Sequence, residues 1–173
     1  MAMRTQVLIT LVVASLLGGA ALAQQPAPSP PPATPAAPPP DYGPTITSEQ
    51  ARAVAGAAVA EARKNNWRMA FAIVGSAGEL IYFEKMDGTQ LAAVEGALGK
   101  ARTSVMYRRS TKTFADQHAA GNTAFTTFPD RPVASEGGLP IVVNGRIVGA
   151  IGASGGTGQQ NGVAAGAGVA AAR

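Results

Sequence analysis

Five positively charged side chains fall within residues 100–112, near the middle of the chain. They are Lys100, Arg102, Arg108, Arg109 and Lys112. Guanidinium and ammonium groups form charge-assisted hydrogen bonds with carboxylates, so this cluster suits the propionates of a haem or a small carboxylate substrate. A solvent-exposed helix face without a ligand is the alternative interpretation.

The chain's one histidine, His118, follows this basic cluster. An imidazole can bind haem iron or act as a base, and an exposed histidine without a role is the alternative. Ser110, Asp116 and Asp130 are nearby along the chain, but their spacing indicates no Ser-His-Asp triad. His118 is therefore a candidate iron ligand, and no catalytic residue is assigned.

A glycine-rich stretch, SGGTG, covers residues 154–158 just before a predicted helix. Free backbone amides at a helix start can hold a carboxylate or a phosphate, which makes Gly155 and Gly156 candidate binding residues. A strand-to-helix turn that needs a positive φ is the alternative. The sequence contains no Walker loop, and no G-x-G-x-x-G motif follows its first strand, so these nucleotide-binding loops are excluded.

The composition excludes further classes of site. The chain has no cysteine, so thiol nucleophiles and thiolate zinc sites are absent. Its formal net charge of +4 suits a mild preference for anions and is too small to indicate nucleic-acid binding. A small-molecule ligand is therefore favoured over a nucleic acid.

The elements that must position these residues begin with a helix and a hairpin. Thr47 and Gln50 form a capping-box pattern at the start of the helix. Its apolar stripe at helical spacing consists of Ala51, Val54, Ala58, Val59 and Ala62. Residues 69–74 and 80–86 then predict two antiparallel strands around a glycine-containing turn.

A second helix is predicted to follow and to end near Met106. Its expected buried face consists of Leu91, Val94, Leu98, Ala101 and Val105. A shorter helix is predicted over residues 110–120, with Ser110 as its cap. Residues 121–136 form a long irregular loop, and loops of this length in a domain are often functional.

The last part of the chain predicts a buried hairpin and a final helix. Residues 139–143 and 146–153 flank Asn144-Gly145, a strong signal for a type I′ turn. Both flanks are apolar at nearly every position, which indicates a sheet covered on both faces. A helix is predicted over residues 161–173. The order of elements predicts an α+β domain with three layers, α/β/α.

Two segments precede this domain. Residues 1–23 carry Arg4, an apolar run and a final Ala-Leu-Ala, the pattern of a cleaved secretory signal peptide. The run is short for a membrane span, and no later segment is apolar enough to form one; an uncleaved anchor is the alternative. Residues 24–44 hold ten of the thirteen prolines and predict a disordered linker. The domain is thus placed at residues 45–173, in a periplasmic or secreted protein.

Three segments of the domain resemble the GlcG/HbpS-like haem-binding protein family. They are ITSEQARAVAGAAVAEARKNNWRMAFAIVGSAGELIYFEKMDGT, GALGKARTSVMYRRST and EGGLPIVVNGRIVGAIGASGGTGQQ. The resemblance covers nearly all of residues 45–173. It implies a profilin-like domain with a five-stranded antiparallel sheet between helices, assembly into a homo-oligomer from dimer to octamer, and haem as the ligand.

The resemblance also bears on individual residues. A threonine of the family's secreted member is implicated in contact with iron, and Thr111 is the position that matches it here. The family usually has Gln-Asp-Glu at the last helix, whereas this chain has Gln160, Asn161 and Gly162. An acid/base or metal role at that place is therefore not carried over.

These observations together predict a secreted or periplasmic, non-catalytic haem-binding protein. The propionates of the haem would contact Arg102, Arg108 or Arg109, and the haem iron would lie near Thr111 or His118. Two alternatives remain open at this point. One is an enzyme or accessory protein that binds a small hydroxy or keto acid at the basic cluster and the SGGTG loop, and the other is a structural oligomer without a ligand.

Overall fold

The computed structural model describes residues 37–172 and contains four α-helices and four β-strands there. The helices are α1 (Ser48–Lys64), α2 (Ala92–Tyr107), α3 (Lys112–Ala119) and α4 (Gly158–Ala170). The strands are β1 (Ala70–Gly75), β2 (Leu80–Lys85), β3 (Gly138–Val143) and β4 (Arg146–Ser154). The predicted loop over residues 121–136 contains a short 3-10 helix, Ala124–Thr127. The predicted signal peptide, residues 1–23, and linker residues 24–36 lie outside the described part of the chain.

The four strands form one antiparallel sheet in the order β2-β1-β4-β3. The described residues thus hold one strand fewer than the five that the resemblance implies. The end of the predicted linker does pair with the sheet, because Ile147 N donates to Asp41 O at 2.8 Å. Gly43 N donates to Ile147 O and Ile46 N donates to Val148 O, both at 2.8 Å, but these bonds form only one isolated bridge, at Tyr42. Pro44 has no amide hydrogen, so the segment cannot extend the bridge into a regular ladder.

The two central strands, β1 and β4, are buried on both faces. Phe71 and Ile73 belong to an apolar cluster that they form with α1 and α4, whereas Ala70 and Ala72 belong to a second cluster that they form with α2. All six residues of β1 and seven consecutive residues of β4 are buried. This pattern follows from the continuous apolar runs of the sequence, because a strand with one solvated face alternates in polarity instead.

The buried face of α2 differs from the predicted one. Leu91 is 85% exposed and Leu98 is only half-buried. The buried apolar residues of α2 are Ala93, Ala97, Ala101 and Val105. The reason lies in the sheet beneath, where a methyl group on Gly152 would collide with the carbonyl of Ala97. The helix backbone touches the strand so closely that only small side chains fit at the contact.

Helices α1 and α4 both begin with a capping box. In α1 the box joins Thr47 and Gln50, as predicted. In α4 the Thr157 hydroxyl accepts a hydrogen bond from Gln160 N, and Gln160 Oε1 accepts one from Thr157 N. This second box starts α4 at Gly158, three residues before the predicted start at residue 161. Neither these helices nor any other in residues 37–172 is long and apolar enough to cross a membrane.

Candidate functional site

Helix α2 ends in a tight turn that leads into α3. Arg108 takes a left-handed conformation at φ 51° and ψ 37°, and Arg109 N donates to Ser104 O at 3.2 Å. The Ser104 hydroxyl donates to Arg109 O at 2.9 Å, which holds the turn from the helix side. This turn brings Tyr107 and Phe114 together, with ring centroids 5.1 Å apart.

Four aromatic rings form a cleft beside this turn, termed the aromatic cleft. Phe114 and Phe125 are almost fully buried, with centroids 5.5 Å apart, and Phe128 stacks on Tyr107 at 6.0 Å. The other lining residues are Arg109, Gln117, Asn122 and Ala124. The volume is about 300 Å³, at the lower end of small-molecule sites, so the cleft covers only part of a large flat ligand. Its aromatic walls suit a planar apolar group.

Two polar side chains flank the aromatic cleft. Arg109 is exposed at the rim, and its Nε donates to Tyr107 O at 3.0 Å. Its guanidinium makes no ion pair within residues 37–172. His118 is exposed on the last turn of α3, with its ring centroid 6.3 Å from that of Phe125. Arg109 thus lines the aromatic cleft, whereas His118 lies outside its lining and contacts one of its rings, Phe125.

The described residues do not build a metal centre from their own side chains. No group of three or more histidine, cysteine, aspartate or glutamate residues in positions 37–172 could hold a metal ion. Burial raises the pKa of Tyr107, and the negative charge of Asp130 raises it further. A raised pKa keeps the phenol protonated, and so able to donate a hydrogen bond, over a wider range of pH.

The structure separates the predicted basic cluster into different environments. The guanidinium of Arg108 lies over the Tyr42 ring at 5.7 Å, and its Nη1 is 3.6 Å from Asp41 Oδ1. Arg102 is exposed and reaches the carbonyl of the β1–β2 turn at 3.4 Å. Lys112 forms an ion pair within α3. Of the three arginines predicted to hold propionates, only Arg109 lines the aromatic cleft.

Thr111 is buried, and its hydroxyl is already engaged. The hydroxyl donates to Ser135 O at 2.7 Å and accepts from Gly138 N at 2.9 Å. Thr111 N also donates to Gly138 O at 3.0 Å. The residue therefore ties the start of α3 to the start of β3, and this arrangement does not present its oxygen to a bound iron.

Lys100 is buried rather than part of an exposed basic face. Its residue surface is 3% exposed, and its Nζ donates to Ala153 O at 3.1 Å. Burial lowers the pKa of Lys100 to about 8, and the nearby carboxylate of Glu136 only partly opposes this effect. The amine is thus enclosed where β3, β4 and α2 meet and is not available to a ligand carboxylate at the surface.

The lowered pKa of Lys100 predicts a distinct pH dependence of stability. Between about pH 8 and the ordinary pKa of 10.5, the folded state binds fewer protons than the unfolded chain does. The free energy of unfolding of the wild type should therefore rise relative to that of Lys100→Met as the pH increases through this window. Urea denaturation of both proteins at several pH values measures the difference. A difference that stays constant with pH would contradict a buried amine.

Gly155 and Gly156 form the turn between β4 and α4. Gly155 has a φ of 132°, and a side chain there would collide with the carbonyl of Arg68. Gly156 N donates to Asn161 Oδ1 at 3.1 Å, and Gly156 O accepts from Asn161 Nδ2 at 3.1 Å. The amide of Thr157 is bonded within its capping box. These contacts favour the turn that needs a positive φ over an anion-binding loop.

Sequence reasoning missed the phenylalanines of the aromatic cleft. Phe114, Phe125 and Phe128 are three of the five phenylalanines in the chain, and they fall within a largely polar stretch. This concentration was the available signal, because large aromatic residues that lie close together in a loop need a common apolar environment. Their mutual contact depends on the geometry of the α2–α3 turn. The sequence predicted a break between the two helices near residues 107–109, but not which side chains the turn brings together.

Comparison with known protein families gives one match over most of the chain. The family described as "Haem degrading protein HbpS-like" matches residues 46–170. Among individual proteins, Protein GlcG of Escherichia coli (strain K12) is 38% identical over 109 residues, which are 63% of this chain and 81% of GlcG.

Solved structures show the same fold. A double mutant of Streptomyces reticuli HbpS superimposes with a TM-score of 0.67 at 28% identity, covering 84% of this chain and 97% of HbpS. A PduOC:heme complex superimposes with a TM-score of 0.68 at 24% identity, covering 73% of this chain and 94% of PduOC. At that identity the second likeness concerns the fold alone.

Proposed function

The chain belongs to the HbpS-like family, and from this membership we propose that it is a non-catalytic haem-binding protein. The match of residues 46–170 to the family described as "Haem degrading protein HbpS-like" carries the haem part of the proposal. The non-catalytic role departs from that description, and the bleaching measurement below tests it. We place the haem contact at the aromatic cleft, because that cleft combines flat apolar walls with a cation and an imidazole at its border.

The types of residue at the aromatic cleft suit a haem. Tyr107 and Phe128, stacked at 6.0 Å, offer a flat surface to a porphyrin edge. Arg109 has no competing carboxylate within residues 37–172 and would hold a propionate. A bound haem would supply an iron that accepts a nitrogen ligand, and the imidazole of His118 would provide that ligand. Thr111, which is enclosed between α3 and β3, would keep its structural role.

The location and assembly of the protein form a second part of the proposal. We propose that residues 1–23 direct the chain to the periplasm or the exterior, and that the domain then works as a homo-oligomer. A cleft that covers only part of a large flat ligand supports assembly, because a neighbouring copy could cover the rest. We also interpret the helices packed on the two faces of the sheet as the outer layers of an α/β/α sandwich.

A hemin titration of the purified mature protein tests the haem proposal. The wild type should give a shifted Soret band that saturates, because a protein ligand to the iron and an apolar environment change the porphyrin absorption. His118→Ala should weaken binding about tenfold or more, because it removes the imidazole that would bind the iron. Thr111→Ser, which keeps the buried hydroxyl, should bind haem as the wild type does.

Two matched arginine variants locate the haem on the surface. Arg109→Gln should weaken haem binding about threefold to tenfold, since an exposed charge-assisted hydrogen bond is lost. Arg102→Gln removes the same charge from the same basic cluster but not from the aromatic cleft, so its affinity should stay within about twofold of the wild type. No Soret shift at stoichiometric hemin would remove the haem proposal. Bleaching of the bound haem beyond that of free hemin would contradict a non-catalytic role.

One alternative ligand from the sequence analysis is a small hydroxy or keto acid. Such an acid was predicted to use the basic cluster and the SGGTG loop. Lys100 is buried, and the amides of Gly156 and Thr157 are bonded within the protein. These observations weigh against a small acid as the ligand at that loop. A protein that binds neither hemin nor small carboxylates would support the structural oligomer instead.

A further inference from the structure

A second cavity lies where α1 ends and β1 begins, apart from the aromatic cleft. It has a volume of about 350 Å³ and shares no lining residue with the cleft. Its lining residues are Arg63, Asn66, Trp67, Arg68, Met86 and Asp87. Two guanidiniums and an indole at one cavity form a pattern that neither the fold nor the proposed haem site explains.

The indole of Trp67 is held in place by the end of α1. Asn66 takes a left-handed conformation at φ 57°, and Trp67 N donates to Ala62 O at 2.9 Å, so the chain turns back on the helix. Trp67 and Met86 both pack against the apolar cluster of α1, α4 and the sheet. The turn that follows β2 is itself fixed, because Met86 N donates to Met69 O at 3.0 Å. The cavity thus has a rigid, partly apolar floor.

The positive charges of the two arginines at this cavity are not paired with a carboxylate of the described residues. Arg63 and Arg68 are exposed and have no ion pair or side-chain hydrogen bond within the described residues. The Arg68 guanidinium lies over Gly88, where a methyl group would come within 2.9 Å of its Nη1. Asp87 adds one carboxylate to the lining, which leaves a net positive charge. Such a site attracts an anion, and two guanidiniums can bind a carboxylate or a phosphate together.

We propose that this cavity is a binding site for a small planar aromatic anion. The ring would lie against the Trp67 indole, and the anionic group would contact Arg63 and Arg68. Asp87 would accept a hydrogen bond from an amino or hydroxyl substituent on the ring. The volume of about 350 Å³ suits a ligand of one or two rings. An aromatic carboxylate and a nucleoside monophosphate share this chemistry.

Fluorescence provides a direct test, because Trp67 is the only tryptophan in the chain. Titration of the mature protein with para-aminobenzoate and with AMP should give saturable quenching by at least one of them, and the responsive probe identifies carboxylate or phosphate as the recognised group. Inorganic phosphate and acetate, which lack a ring, should not reproduce the effect. Arg63→Gln and Arg68→Gln should each raise the Kd about tenfold.

Lys64→Gln is the matched control for the two arginine variants. Lys64 lies next to Arg63 in the last turn of α1, but it does not line the cavity. Its loss removes the same charge and should change the Kd by less than about twofold. All three side chains are exposed, so circular dichroism should show unchanged folding. The proposal is wrong if neither aromatic probe gives saturable quenching, if ring-free anions quench equally, or if both arginine variants bind as tightly as the wild type.

Discussion

Gly152→Ala is expected to lower the free energy of unfolding by about 3 kcal/mol. The added methyl group would meet the backbone of α2 at Ala97 O and, at 2.6 Å, Ala101 N. Backbone atoms cannot rotate away as a side chain does, so the whole helix must move away from the sheet. That movement would open the cluster that α2 forms with β1 and β4. Urea denaturation followed by circular dichroism measures the loss.

Gly166→Ala supplies the control for this substitution. Gly166 lies inside α4, and a methyl group there would meet nothing within 4 Å. Alanine favours a helix over glycine, so this variant should gain about 0.5–1 kcal/mol of stability. The same chemical change thus has opposite signs at two glycines. A Gly152→Ala protein as stable as the wild type would show that α2 does not touch the strand as closely as described.

Thr111→Val is expected to destabilise the protein by about 2–3 kcal/mol, although valine has nearly the same shape. The substitution removes the hydroxyl that joins Ser135 O and Gly138 N. Gly138 N would lose its partner at a buried place, and Ser135 O at a partly buried one. A buried polar group without a hydrogen bond costs much more than the net gain of a typical hydrogen bond. Chemical denaturation should show a lower midpoint with an unchanged slope.

Thr111→Ser distinguishes the contribution of the hydroxyl to stability from that of the methyl group. Serine keeps both hydrogen bonds and should cost only about 1 kcal/mol for the lost methyl contact. If valine were tolerated and serine were not, the packing of the methyl group against Gly138 would be the important interaction instead. Hemin binding by the folded fraction of both variants should match the wild type, which distinguishes a structural threonine from an iron ligand.

Local signals in the sequence predicted most of the framework. The capping box at Thr47 and the stripe of small apolar residues predicted α1, and every residue of that stripe is buried. The Asn144-Gly145 pair predicted the last hairpin, and both residues have a positive φ as a type I′ turn requires. These features depend on neighbours within a few positions along the chain, so the local pattern is sufficient to identify them.

The buried face of α2 could not be predicted from hydrophobicity. A helical pattern that ranks residues by apolarity selects Leu91 and Leu98, because these are the largest apolar side chains. In the structure, the size of each side chain decides which residues of α2 face the sheet. Gly152 lets the helix backbone come into contact with β4, so only small side chains fit between them. The requirement for small residues comes from β4, more than 40 positions away in the sequence, and a local window does not contain it.

The candidate site was only partly predicted for a similar reason. The charges at Lys100, Arg108 and Arg109 lie within ten positions of one another in the sequence. The packing of α2 on β4 encloses Lys100, whereas the α2–α3 turn directs Arg108 to the Tyr42 ring and Arg109 to the aromatic cleft. Proximity along the chain predicted one shared surface. Burial and the direction of each side chain, which depend on the tertiary fold, decide which charge can meet a ligand.

The glycines of α4 have a consequence for the order in which the domain folds. Gly162, Gly166 and Gly168 lie inside this helix, and each costs about 1 kcal/mol relative to alanine in an isolated helix. Helix α4 should therefore form only when β4 and α1 are already in place to receive it. A domain in which β4 has not yet paired with β1 should therefore leave α4 unfolded and open to proteases.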